Sequence, residues 1–151
     1  GHIKQIGYGL YLRMLEDAIK ELSGKKEEKE KSVEVKLAVD AYLSEELINE
    51  DRLRLELYRR LSLSSSVGEV YEISSEIEDR FGRLDKITKQ FIDIIAIKLM
   101  AKSKSITKVS NYNENIFFEF EDEKKERLTL KAPSRDDDDI IASVFGYLKQ
   151  V

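Results

Sequence analysis

The sequence predicts an α+β domain: an N-terminal helix, a helical cluster and a small, mainly antiparallel sheet with a closing C-terminal helix. Three observations carry that expectation. Apolar residues recur at steps of three and four in several stretches, they alternate in shorter ones, and Gly-, Ser- and charge-rich breaks separate the two patterns. At 151 residues the chain is long enough for one domain with a real core and too short for a motor or a multidomain enzyme.

Taken in order, Ile6, Leu10, Tyr11, Met14, Leu15, Ala18, Ile19 and Leu22 mark an amphipathic helix that ends near Ser23-Gly24. The mixed-charge run Lys25 to Lys31 has no apolar stripe and reads as a solvated linker. Val33, Val35, Leu37 and Val39 alternate with polar positions and Ala38, as a half-buried strand requires. Leu53, Leu57, Tyr58 and Leu61 give a short helix opened by Glu50 and Asp51 and broken by Ser62 to Ser66. A second helix runs from about Val67 to Arg80 and stops at Gly82. The third, about Asp85 to Lys102, carries Ile87, Phe91, Ile92, Ile94, Ile95 and Leu99 on so wide an arc that it is expected to be the most buried element. Ile106 to Val109, Ile116 to Phe120 and Arg127 to Leu130 read as short strands, with Glu121 to Glu126 an exposed connection. Ile140, Ile141, Val144, Phe145 and Leu148 space a closing helix; Ser134 is placed to be its N-cap, with Asp137 completing a capping box.

Composition excludes several chemistries. Apolar residues make up 41% and charged residues 37%, with one proline, which describes an ordered, helix-rich, well-solvated protein. There is no cysteine, hence no disulfide framework and no thiolate nucleophile or zinc site, and His2 is the sole histidine. The run Phe91 to Ala101 is interrupted by Asp93 and Lys98 and is too short to span a bilayer, so a cytoplasmic location without membrane contact is expected. A net charge of −4 provides no overall field for nucleic acid; electrostatics favour a protein partner, and a basic one.

Candidate motifs mostly resolve into structural roles. Asp136 to Asp139 are consecutive, so on a helix they point in four directions and read as helix-terminus charges, not a cation cage. Gly7-Tyr8-Gly9 lacks the third glycine and the preceding strand of a dinucleotide loop, and no Gly-x-x-x-x-Gly-Lys-Ser/Thr occurs. No cofactor or metal is expected in this chain. Lys98, Lys102, Lys104 and Lys108 read as a solvated face, and Tyr112, Phe117, Phe118 and Phe120 as a sheet core, so direct nucleic-acid binding is not expected. The stretch Glu72 to Leu84 stands apart. On a helix Glu72, Glu76 and Asp79 share one face at spacings of four and three, near a C-terminus whose dipole they oppose. Either Arg80, Arg83 or Lys86 compensates them inside the chain, or a basic partner does.

Three segments together resemble one family. Ile6-Gly-Tyr-Gly-Leu-Tyr-Leu-Arg-Met-Leu-Glu-Asp-Ala-Ile19, Val39-Asp-Ala-Tyr-Leu-Ser-Glu-Glu-Leu-Ile48 with Arg52 to Leu61, and Glu76-Ile-Glu-Asp-Arg-Phe-Gly-Arg-Leu84 are similar to the C-terminal domain of bacterial transcription-repair coupling factors. The resemblance covers Ile6 to about Lys102, and the last third agrees in outline. It departs in two places: Arg83-Leu84-Asp85 replaces a Pro-rich turn after Phe-Gly, and Ser44 replaces a common proline. Gly1-His2-Ile3 resembles the end of the motif that closes the family's translocase module.

The resemblance implies a C-terminal piece of a larger protein, with a connecting helix at 1–24, a charged linker at 25–32 and a regulatory domain at 33–151. It implies no catalysis here and an ATP- and Mg-dependent DNA translocase elsewhere in the parent, which displaces stalled RNA polymerase and recruits UvrA. The last domain is implied to latch onto the parent's UvrB-like module and hide the UvrA-binding surface. The acidic contacts fall, residue by residue, on Glu76 and Asp79, beside Glu72. The rival readings are a nucleic-acid-binding accessory domain of a helicase-like protein and an enzyme; the lack of cysteine, of any histidine besides His2 and of a nucleotide loop weighs against the latter.

Overall fold

The fold is known from a computed structural model that describes residues 32–150. The N-terminal helix and the linker up to Lys31 lie outside the described residues. The elements are β1 (Glu34–Lys36), α1 (Asp51–Leu63), α2 (Val67–Phe81), α3 (Lys86–Ser103), β2 (Ile106–Tyr112), β3 (Asn115–Phe120), β4 (Leu128–Lys131) and α4 (Asp137–Gln150). The α+β expectation holds. The four strands form one sheet in the order β1-β2-β3-β4, with β1 parallel to β2 and the other two pairings antiparallel.

Local chemistry sets the boundaries. Ser66 Oγ accepts from the Glu69 N–H at 3.1 Å, and the Glu69 carboxylate reaches back to Ser65 N, so α2 starts with reciprocal caps. Gly82 ends it at φ +102°, a conformation a side chain rarely adopts. Three residues later Asp85 Oδ1 accepts from Thr88 N at 3.1 Å and opens α3. Burial works to raise the Asp85 pKa, but hydrogen bonds from Thr88 and Ser44 outweigh it and hold the carboxyl below its ordinary value. Ser44 also donates its own N–H to Thr88 Oγ1 at 3.1 Å, a bond a proline there could not make.

Helix α3 joins two cores. Ile97 and Ala101 pack with Val33, Val109, Ile116, Phe118, Ile140, Val144 and Leu148 between sheet and α4. Phe91, Ile92 and Ile95 pack with Leu43, Ile48, Leu57, Tyr58, Leu61, Val70 and Ile77 in the helical cluster. The ring of Phe91 meets Tyr58 edge-on at 5.1 Å, and the Tyr58 hydroxyl accepts from Leu43 N at 2.8 Å.

Four expectations need correction. The first strand is three residues long, because Val39 N–H turns back to Leu37 O at 2.8 Å and Asn111 Oδ1 takes Ala38 N–H at 2.7 Å. Ser134 is not the N-cap of α4: Asp136 O accepts the first helical bond from Ile140, and Ser134 Oγ accepts from Asp136 N two residues on. Asp137 forms no capping box, since its Oδ2 accepts from Gln90 Nε2 at 3.1 Å and Asp40 N at 3.3 Å. Tyr112 is 72% exposed and no part of the sheet core, which is built by Phe118 with Phe120 against it.

Truncating Ile97 (0% exposed) to Ala is expected to lower unfolding free energy by about 2–4 kcal/mol in urea titration. Leu63→Ala, at a 52% exposed position, is expected to change it by about 0.5 kcal/mol or less.

Candidate functional site: an acidic helix face

Helix α2 turns Val70, Ile73, Ser74 and Ile77 inward, and the 3.6-residue period then carries Glu72, Glu76 and Asp79 along one edge of its outer surface. Glu72 and Asp79 are exposed and, among the described residues, neither has an ion partner. Glu76 differs. Arg60, from α1, grips it with both terminal nitrogens: Nη1 to Oε2 at 2.5 Å and Nη2 to Oε1 at 2.9 Å. Arg80, one turn on, adds Nη1 to Oε2 at 3.5 Å. The in-chain cation is therefore chiefly Arg60, which sequence reasoning did not name, with Arg80 second; Lys86 faces Asp138 at 3.8 Å.

The paired fork is geometrically strong, because guanidinium and carboxylate match two bonds to two. It is also wet, each side chain being 38% exposed, so screening limits its worth to about 0.2–1 kcal/mol. The hydrogen bond from Arg60 pulls the Glu76 pKa below the ordinary 4.5, and the same bond raises that of Arg60, which Glu56 also attracts.

A second acidic group lies away from this face. Asp93 on α3 is half-buried; burial raises its pKa against the attraction of Lys89 and Lys149, and the Tyr71 hydroxyl approaches at 3.5 Å. Tyr71 is raised in turn, by burial and by Asp93. Arg54 is 6% exposed and donates to Ile48 O at 2.8 Å and Asn49 O at 3.3 Å, with Asp51 and Glu45 as counterions, so it ties down the loop before α1.

Three of the four aspartates diverge as their spacing requires: Asp137 to Gln90 and Asp40, Asp138 to Lys86, Asp139 to the Ser134 hydroxyl at 2.7 Å. Among the described residues no group of three His, Cys, Asp or Glu side chains converges on a metal position. Lys102 and Lys104 are exposed at the end of α3, while Lys108 sits in register between Glu34 and Glu119. No described helix is long and apolar enough to cross a membrane.

This arrangement of helices and sheet has known counterparts. The sequence profile of the TRCF domain family matches residues 37–130, from the end of β1 to β4. The chain belongs to the TRCF domain family. It is 57% identical over 148 residues to the transcription-repair-coupling factor of Helicobacter pylori strain J99, covering 98% of this chain and 15% of that protein. With its Staphylococcus aureus USA300 counterpart it shares 34% over 113 residues, which is 74% of this chain and 10% of that one. The chain thus spans a small part of the curated relatives it matches. Among solved structures, one titled as the C-terminal domain of transcription-repair coupling factor superposes with a TM-score of 0.69 at 18% identity, covering 78% of this chain and 91% of that one. Similarity to TRCF proteins also continues past Lys102, where the sequence motifs had ended, through the sheet that the profile includes.

A double-mutant cycle with Arg60→Ala and Glu76→Ala is expected to give a coupling of about 0.2–1 kcal/mol at pH 7 and low salt. Because the folded Glu76 pKa is lowered, that coupling is fully present above the ordinary value of 4.5 and is lost as pH falls through the folded one. Urea titrations between pH 7 and pH 3 measure the loss.

Proposed function

We propose that this chain is the C-terminal regulatory domain of a transcription-repair coupling factor and acts as an autoinhibitory latch. In this reading α2 docks on the UvrB-like module of the full-length protein and covers the surface that UvrA must reach. The parent translocase, powered by ATP and Mg in its motor domains, displaces RNA polymerase stalled on DNA; when it engages them, the latch releases. The observation that carries the reading is the face of α2, where Glu72 and Asp79 stand exposed beside the clasped Glu76 in a member of the TRCF family. Asp79, in the last turn of α2, opposes the helix dipole, and an external cation would offset that cost.

Two features support a regulatory role over a catalytic one. The sequence offers no phosphate-binding glycine loop, and the acids at α4 are each spent on structural contacts. Exposed ion pairs of about 0.2–1 kcal/mol each suit a contact that opens and closes.

The test is binding between this chain and the separately expressed UvrB-like module, by calorimetry at about 0.1 M salt. Saturable binding that falls at least about tenfold in Glu72→Lys/Asp79→Lys, which removes two charge pairs and adds repulsion, supports docking through this face. Equal affinity in a folded double variant overturns it. Glu76→Lys is a poor probe, since a lysine there would face Arg60 and Arg80 and destabilise the domain itself.

A further inference from the structure

We infer that Arg60 sets the strength of docking by competing with the partner's cations for Glu76, so that the acids on offer are Glu72 and Asp79. The inference rests on the docking reading above and adds the residue that tunes it.

A carboxylate has about four lone-pair positions. Arg60 takes one on each oxygen of Glu76, at 2.5 and 2.9 Å, and Arg80 leans on Oε2 from the same helix at 3.5 Å. An arginine arriving from a partner therefore cannot form a fork with Glu76 without displacing Arg60 or Arg80. It also meets a neutral cluster, not a bare acid: Glu76 and Glu56 against Arg60 and Arg80 sum to zero. Glu72 and Asp79 flank that cluster at four residues before and three after, on the same edge of α2, and neither pairs with a cation among the described residues.

The competitor comes from a different helix than the acids. Arg60 stands in the last turn of α1, where the dipole favours a cation, and the burial of Leu57 and Leu61 anchors that turn of the helix. Its position is thus set by the helical core, and it does not need to move for Glu72 and Asp79 to be engaged. Any shift of α1 against α2 would release Glu76 and add a third acid to the docking face.

The experiment measures affinity of the 151-residue chain for the UvrB-like module across a small variant set. Arg60→Gln is expected to tighten binding roughly two- to fivefold, the equivalent of one freed exposed pair. Arg60→Lys, which keeps the charge but not the fork, should fall between wild type and Arg60→Gln. Glu76→Gln alone should change affinity by less than about twofold, yet in the Arg60→Gln background it should erase the gain. Asp79→Asn reports on docking itself. If Asp79→Asn weakens binding while Arg60→Gln leaves or lowers it, the competition is overturned and docking stands. If Glu76→Gln weakens binding as much as Asp79→Asn, Glu76 already holds the partner and the inference is again overturned. If neither Glu72→Gln nor Asp79→Asn matters, or nothing binds saturably, docking falls and the inference with it. Urea midpoints for every variant separate these results from loss of fold.

Discussion

Helix α3 is buried on two sides, and the rest of the domain is arranged around that constraint. One side, through Ile97 and Ala101, closes the core over the sheet; the other, through Phe91, Ile92 and Ile95, closes the core of α1 and α2. A helix apolar over so wide an arc cannot lie on a surface. It forces a layer on each flank, which is why a four-stranded sheet and a helical pair can share one domain of modest size. Removing methylenes from its middle would open a cavity between partners that are themselves held apart by secondary structure and so collapse poorly.

Polar contacts then fix how the long connection from β1 to α1 runs along this helix. Gln90, 4% exposed, donates to Asp40 O at 2.5 Å and to Asp137 Oδ2, so one side chain of α3 ties the connection to the start of α4. Thr88, fully buried, accepts from Ser44 N and sits in the cap made by Asp85. Buried polar groups are costly unless paired, which makes these bonds determinants of register more than sources of net stability. Ser44 supplies the N–H that Thr88 Oγ1 accepts.

On the outside of the same scaffold, α1 and α2 meet along a seam closed by Arg60 and Glu76. The pair neutralises the central carboxylate of this edge of α2 and leaves Glu72 and Asp79, on either side of it, in solvent. Within this group of acids the central carboxylate is spent on a contact between α1 and α2, and the flanking ones stay exposed. A TRCF domain built this way can present a charged face without the whole cluster repelling itself.

Periodicity located every described element, since the interval between apolar residues reports which face meets the core before any partner is known. Ser66 and Asp85, which cap α2 and α3, were not singled out as caps in the sequence, whereas Gly82 marked the end of α2 because a stop signal acts between near neighbours. Glu72, Glu76 and Asp79 were placed on one face for the same reason. Where a residue's partner is distant in the chain, the local pattern misleads: Asn111 cuts the first strand short from 73 residues away, Gln90 takes Asp137 out of its expected cap from 47, and Arg60 reaches Glu76 across 16. Each of these contacts depends on how two elements are brought together: β1 beside β2, α3 beside the start of α4, and α1 against α2. Spacing along a helix can say which way a side chain faces, but what it faces depends on the crossing of elements, and that is set by packing.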